Sequence, residues 1–333
     1  MSEAIEEKLL KIPIVNILVR LLKGVKLPGF EGLSIYDLLE MYVTGILKGT
    51  LSTRASAIAF SLFMALFPLL IFLITLLPFV KEYVGVDDFD SEFLAFLETF
   101  LPSTTGDYFG EIYEQIKNQK REGLLSSSFL ISIFLIANGV NAIFGGFENS
   151  YHVQLTRNFI RQYLYALAIG LLLALLLIMS AVSYISFEIN VIQYLSELAG
   201  KTVGSDIDTG DIVGVDIAKV LFFILLTYLV TAILYYFGTA EGRKTRFFSA
   251  GALLTTILFA LTAYLFGIYV EKFARYNELY GALGGLLILM VFIWLNSNIL
   301  LLGFELNATL NGFKRRKILE EKLAQEHKES LEN

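Results

Sequence analysis

The chain contains no cysteine, which removes disulfide staples, thiolate nucleophiles and thiolate metal sites together. Histidine is nearly absent as well. His152 and His327 lie far apart and in neither an H-x-H nor an H-E-x-x-H spacing, so no histidine-based metal cluster is expected. Charge is also scarce: 17% of residues are Asp, Glu, Lys or Arg, where a soluble domain carries about a quarter. A net charge of −6 and a pI near 5.2 argue against a nucleic-acid partner, which needs a basic surface. No Walker motif is present, which argues against ATP-driven transport by this chain alone. What fills the space is apolar. The chain is 56% hydrophobic with a mean hydropathy of +0.65, the composition of a membrane protein.

Six runs reach the length of about 20 apolar residues that a spanning helix needs. They are 55–80, 124–147, 163–187, 217–237, 247–270 and 280–306. Hydrocarbon offers no hydrogen-bond partner to exposed backbone, so each is expected to be helical. The predicted fold is all-α, a polytopic bundle of six transmembrane helices. Pro68, inside the first run, removes a backbone donor and predicts a kink. Residues 1–54 form an N-terminal segment, 55–306 the membrane domain with a long connection at 81–123, and 307–333 a charged tail. The acidic start (Glu3, Glu6, Glu7) does not resemble a secretory signal. The stretches 12–22 and 34–49 fit either interfacial helices or short helices packed on the bundle. In the long connection, Phe89, Phe93, Leu94, Phe96, Leu97, Phe100 and Leu101 recur at near-helical spacing and predict an amphipathic helix ending before Pro102.

Lysine and arginine orient the bundle. They concentrate before the first run (Lys48, Arg54), around the second and fourth connections (Arg157, Arg161, Arg243, Lys244, Arg246) and in the block Lys314–Lys317, written KRRK. The third connection is acidic. The positive-inside rule therefore predicts both termini in the cytoplasm, with Lys272 and Arg275 dissenting mildly.

Polar groups inside the apolar runs are the candidate sites, because an unpaired amide or carboxylate in hydrocarbon costs several kcal/mol. Asn138 and Asn141 share one face of the second span beside Gly139, Gly145 and Gly146. Asn296 and Asn298 lie on different faces of the last. Each amide either locks helices together or lines a polar cavity. Arg54 and Glu305 fall at similar depth and either pair or snorkel separately. Glu148 has Arg157 and Arg161 within reach in sequence. Asn277, Tyr280 and Gly281 form an expected turn into the last helix, with Asn277 as cap and Tyr280 as aromatic anchor. No residue set is assigned to catalysis, metal or cofactor binding.

Three ordered motifs then carry a resemblance. SLFMALFPLL at 61–70 resembles the first-helix motif of the YihY/BrkB family of bacterial membrane proteins. FLPSTTGDYFGEIYEQI at 100–116 is similar to that family's external loop, and YNELYGALGGLLILMVFIWL with LLGFELNATL to its terminal helix. The resemblance covers about residues 50–312 and implies six helices with both termini inside the cell. Members were long labelled ribonuclease BN, a label generally regarded as a misassignment, and some are linked to virulence or serum resistance. This chain departs from some relatives in placing Ala260, Ala263 and Tyr264 where they carry charge in the fifth helix.

Two functional readings follow. In one, the bundle moves a lipid-like or small amphipathic solute through a cavity lined by the four asparagines. In the other, it is a non-transporting scaffold or envelope-maintenance factor of the inner membrane. Nuclease activity is not expected. Membrane lipids are the expected partners, and the sequence leaves room for a homo-oligomer.

Overall fold

The computed structural model describes residues 13–25, 34–36, 39, 50–84, 89–98, 122–150, 157–187, 213–244, 246–273 and 283–332. They form eight α-helices: α1 (Pro13–Gly24), α2 (Thr50–Val84), α3 (Phe89–Glu98), α4 (Glu122–Glu148), α5 (Phe159–Phe187), α6 (Val213–Gly238), α7 (Ala250–Phe273) and α8 (Leu283–Glu332). Six of these hold a stretch long and apolar enough to cross a bilayer: Leu51–Leu70, Leu130–Glu148, Phe159–Phe187, Ile217–Gly238, Ala250–Val270 and Gly284–Gly312. The all-α polytopic bundle is as the apolar runs require.

Boundaries differ where local chemistry intervenes. The fifth span begins at Ala250 and not at 247, because Ser249 Oγ accepts the Ala252 N–H at 3.3 Å and caps the helix there. The last helix does not stop at 306 but continues to Glu332, its second half a charged sequence of strong helix formers. α2 runs unbroken through Pro68. The Ser132 hydroxyl on α4 donates to the Pro68 carbonyl, tying the two helices at that point.

Consecutive spans pack as neighbours and α8 returns to α2, so the six close a ring; α4 also touches α6 and α8 and is the innermost helix. One apolar core draws on all six. Leu51, Ala55 and Ile58 of α2 meet Val140, Ile143, Phe144 and Phe147 of α4, Ala166 and Ile169 of α5, Ala232–Tyr235 of α6, Ala252 of α7, and Leu300, Leu301 and Phe304 of α8. Phe147 stacks on Phe304 at 4.3 Å and meets Tyr235 edge-on at 5.5 Å. This core lies toward the end where α2 starts and α4 stops.

Toward the opposite end the packing divides. Leu70 and Leu73 join Ala181, Ile185 and Leu226 around α3, whose Phe93, Phe96 and Leu97 are buried against them. The near-helical phenylalanine spacing of the sequence is thus a helix, with Phe96 set against the Tyr184 and Phe223 rings. Separately, Phe266, Val270 and Ile288 of α7 and α8 pack with Phe292 and Leu295. Among the described residues these two clusters share no member.

α7 and α8 cross at glycine. A side chain at Gly303 would overlap the Thr255 hydroxyl, the Tyr235 hydroxyl and the Gly251 carbonyl, so only hydrogen lets the backbones meet. Gly303→Ala is expected to destabilise the bundle by about 2 kcal/mol, in the range for overpacking a filled core. The melting temperature of the detergent-solubilised protein should fall by several degrees, whereas Gly312→Ala, which meets nothing nearby, should leave it unchanged.

Candidate functional site: a polar collar at one end of the bundle

Arg54 enters the membrane on the second turn of α2 and reaches across to α8. Its Nη2 lies 2.7 Å from Glu305 Oε1, and both side chains are close to 14% exposed. Arg54 Nη1 donates to the Gly146 carbonyl of α4 at 2.8 Å, and Ser150 Oγ donates to Glu305 Oε2 at 2.6 Å. Both carboxylate oxygens are therefore engaged, and three helices share one ion pair. A half-desolvated pair holds only when its remaining lone pairs and protons are satisfied, which Gly146 and Ser150 accomplish here. The Gly146 position is itself forced, since a Cβ there would meet Ile58 at 2.7 Å and Leu301 at 3.3 Å.

A second set ties α4, α5 and α6. Arg157, just before α5, donates to the carbonyls of Thr239 at 2.7 Å and Gly238 at 3.3 Å, supplying charge to the C-terminal end of α6 where carbonyls lack helical partners. Gly238 is required by the Phe147 ring, which would lie 2.5 Å from an added Cβ. Glu148 accepts the Arg157 backbone N–H at 3.3 Å. With the Gln162 amide turned to donate, its nitrogen stands 2.9 Å from Glu148 Oε2 and its oxygen 3.3 Å from the Gly145 N–H and from Asn141 Oδ1. Burial holds the Arg157 guanidinium below its ordinary pKa; Arg243 pushes the same way, while Glu148 and Tyr165 oppose it. Arginine nevertheless stays charged.

The third set ties α6, α7 and α8. The Tyr235 hydroxyl, fully buried, donates to the Leu300 carbonyl at 2.7 Å and lies 2.6 Å from Thr255 Oγ1. One turn nearer the end, Asn307 accepts the Gly251 N–H at 2.8 Å and donates to Ser249 Oγ at 2.8 Å.

The residues singled out in the sequence divide accordingly. Arg54 and Glu305 are brought together. Glu148 meets Arg157 through its backbone amide, and the Arg157 guanidinium turns instead to α6; Arg161 is exposed. Asn138 and Asn141 are half-buried, with Asn141 beside Gln162. Asn296 and Asn298 each donate to a carbonyl one turn earlier on their own helix, Phe292 at 2.9 Å and Trp294 at 2.8 Å; Asn298 is buried. No bond joins the α4 asparagines to those of α8 among the described residues. Asn277, Tyr280 and Gly281 lie outside the described residues. Ser150, Gln162, Tyr235 and Asn307 were not singled out. Tyr235 and Asn307 carried a usable signal, being polar residues inside apolar runs; Ser150 and Gln162, at helix ends, carried none.

Arg54→Gln should cost about 3 kcal/mol, because it removes the cation paired with a partly buried Glu305. In a double-mutant cycle on purified protein, Glu305→Gln added to Arg54→Gln should cost far less than it does in the wild-type background. Additive losses would show that the two charges act separately.

The family model described as Virulence factor BrkB matches residues 43–329. A ribonuclease-like protein of Bacillus subtilis (strain 168), YfkH, is 26% identical over 271 residues, covering 81% of this chain and 92% of that protein. A UPF0761 membrane protein of Coxiella burnetii (strain RSA 493 / Nine Mile phase I) is 24% identical over 252 residues, 75% of this chain and 84% of the relative. One from Histophilus somni (strain 2336) is 27% identical over 266 residues, 79% and 86% of the two chains. No solved structure matches the chain. A match over the whole membrane region, ending in the charged last helix, places this chain in the Virulence factor BrkB family of multi-pass membrane proteins.

Proposed function

We propose that this protein moves a lipid-like or amphipathic solute within the bacterial inner membrane, with both termini in the cytoplasm and the polar collar on the cytoplasmic side. The observation that carries this reading is the division of the core. Among the described residues all six spans contribute to one apolar core at the collar end, beside a small α7–α8 cluster of Leu306 and Leu310, while the opposite end holds two clusters with no shared core, one on α2, α3, α5 and α6 and the other on α7 and α8. A bundle pinned at one end and divided at the other can part there without exposing its buried ion pair. Both clusters are aromatic and aliphatic (Tyr184, Phe222 and Phe223 in one, Phe266 and Phe292 in the other), a chemistry suited to acyl chains and not to ions.

Asn296 and Asn298 each donate one N–H to their own helix, so this reading does not rest on a channel lined by asparagines. The same observation favours a second reading, a non-transporting scaffold in which those amides serve packing alone. Neither reading invokes catalysis, and the two collar carboxylates are engaged in structural bonds, Glu305 with Arg54 and Ser150, Glu148 with the Arg157 N–H.

Reconstitution into vesicles carrying a fluorescent phospholipid analogue separates the two. Transport predicts that inner-leaflet analogue becomes accessible to an external reductant at a rate that rises with protein content. Rates equal to those of protein-free vesicles, with no solute flux either, would leave the scaffold.

A further inference from the structure

The collar has a flank that its internal bonds do not use. Tyr165 of α5 carries two guanidinium groups, Arg157 at 4.5 Å and Arg243 at 4.6 Å from the ring centroid. Arg243 is also 5.8 Å from the Phe237 ring, so aromatic contacts on two helices fix its direction. Arg161, one turn before Tyr165 on the same face of α5, is exposed, as is Arg246 at the entry to α7. The two connections that meet here, ahead of α5 and between α6 and α7, hold Arg157, Arg161, Arg243, Lys244 and Arg246 against Glu148 and Glu241, five positive charges less two negative. Among the described residues no carboxylate forms an ion pair with Arg161, Arg243 or Arg246. Like charges gathered on one flank repel, and an anion bound among them relieves that repulsion.

The same flank is apolar immediately beside the arginines. Phe159, Ile160, Leu164 and Phe248 are each 58% exposed or more; the first three lie in the opening two turns of the α5 span and Phe248 stands two residues ahead of the α7 span, the level at which headgroup would meet hydrocarbon. A soluble anion has no use for such a border. A phosphate that carries acyl chains fits both parts at once, and basic pockets between helices at a membrane surface are suited to such headgroups.

We propose that the start of α5 and the turn between α6 and α7 form a binding site for an anionic phospholipid, its phosphate held by Arg161 and Arg243 and its chains lying on Phe159, Ile160, Leu164 and Phe248. Arg157 is not free for this role, being bonded to the α6 carbonyls; it positions Tyr165 and adds charge. The site does not depend on whether the bundle transports anything.

The test uses full-length protein purified in neutral detergent, probed with phosphatidylglycerol, phosphatidylcholine or inorganic phosphate. Phosphatidylglycerol should remain bound in native mass spectra and raise the melting temperature; phosphatidylcholine and inorganic phosphate should do neither. Arg161→Gln with Arg243→Gln should weaken phosphatidylglycerol binding about tenfold; Arg161→Gln alone, at an exposed position, should leave the lipid-free melting temperature unchanged. Arg20→Gln, an exposed control on α1, should bind as wild type. If the double variant does not fold, Arg161→Gln alone, at an exposed position, should still weaken binding. Equal binding of phosphatidylcholine, an equal effect of inorganic phosphate, or undiminished binding by the variants would overturn the proposal.

Discussion

Hydrocarbon cannot hydrogen-bond, so each polar group that a spanning helix carries inward must find its partner inside the protein. The Arg54–Glu305 pair is where this constraint bears hardest, and much of the collar is arranged to meet it. Gly146, bare because Ile58 and Leu301 leave no room for a side chain, offers its carbonyl to Arg54, and Ser150 occupies the second carboxylate oxygen. The neighbouring sets follow the same rule. Arg157 serves the carbonyls at the end of α6, Tyr235 serves a carbonyl of α8, and Asn307 serves the first turn of α7. Each bond joins elements distant in sequence, so the collar specifies which helices are neighbours as well as holding them.

The fold class was legible in the sequence because the bilayer imposes one length and one composition on every span. The similar depth of Arg54 and Glu305 was legible for a related reason, since an even number of spans starts the first and ends the last on one side; whether they pair or snorkel apart was not, because that depends on side-chain direction. The destination of Arg157 was not legible. Sequence spacing pointed its side chain at Glu148, yet the carbonyls of Gly238 and Thr239 compete for the guanidinium, and backbone acceptors at a helix end leave no mark in residue types. The asparagines show a further limit. Asn296 and Asn298 each donate one N–H a turn back along α8, a bond to their own helix that residue types do not distinguish from one across the bundle.

Polar bonds gathered at one end have a consequence for the other. The shared core and the collar coincide, so the packing that joins all six spans and the bonds that hold the charges lie at one end. Away from it, among the described residues, α3 gathers α2, α5 and α6 into one apolar unit, while α7 and α8 keep their own. Apolar contact between the two units gains little in a bilayer, since lipid tails offer the same contacts. Exchange of protein contacts for lipid contacts at that end is therefore cheap in free energy, and at the collar it is not.

The absence of native cysteine allows this asymmetry to be measured directly with introduced spin labels. One pair, at the exposed Asn149 and Arg246, spans the collar; another, at the exposed Ser183 and Tyr264, spans the far end. Pulsed electron–electron distance measurements in lipid nanodiscs should give a single narrow distribution for the first pair and a broad or two-peaked one for the second. Two equally narrow distributions, or a broader one at the collar, would contradict a bundle pinned at its charged end.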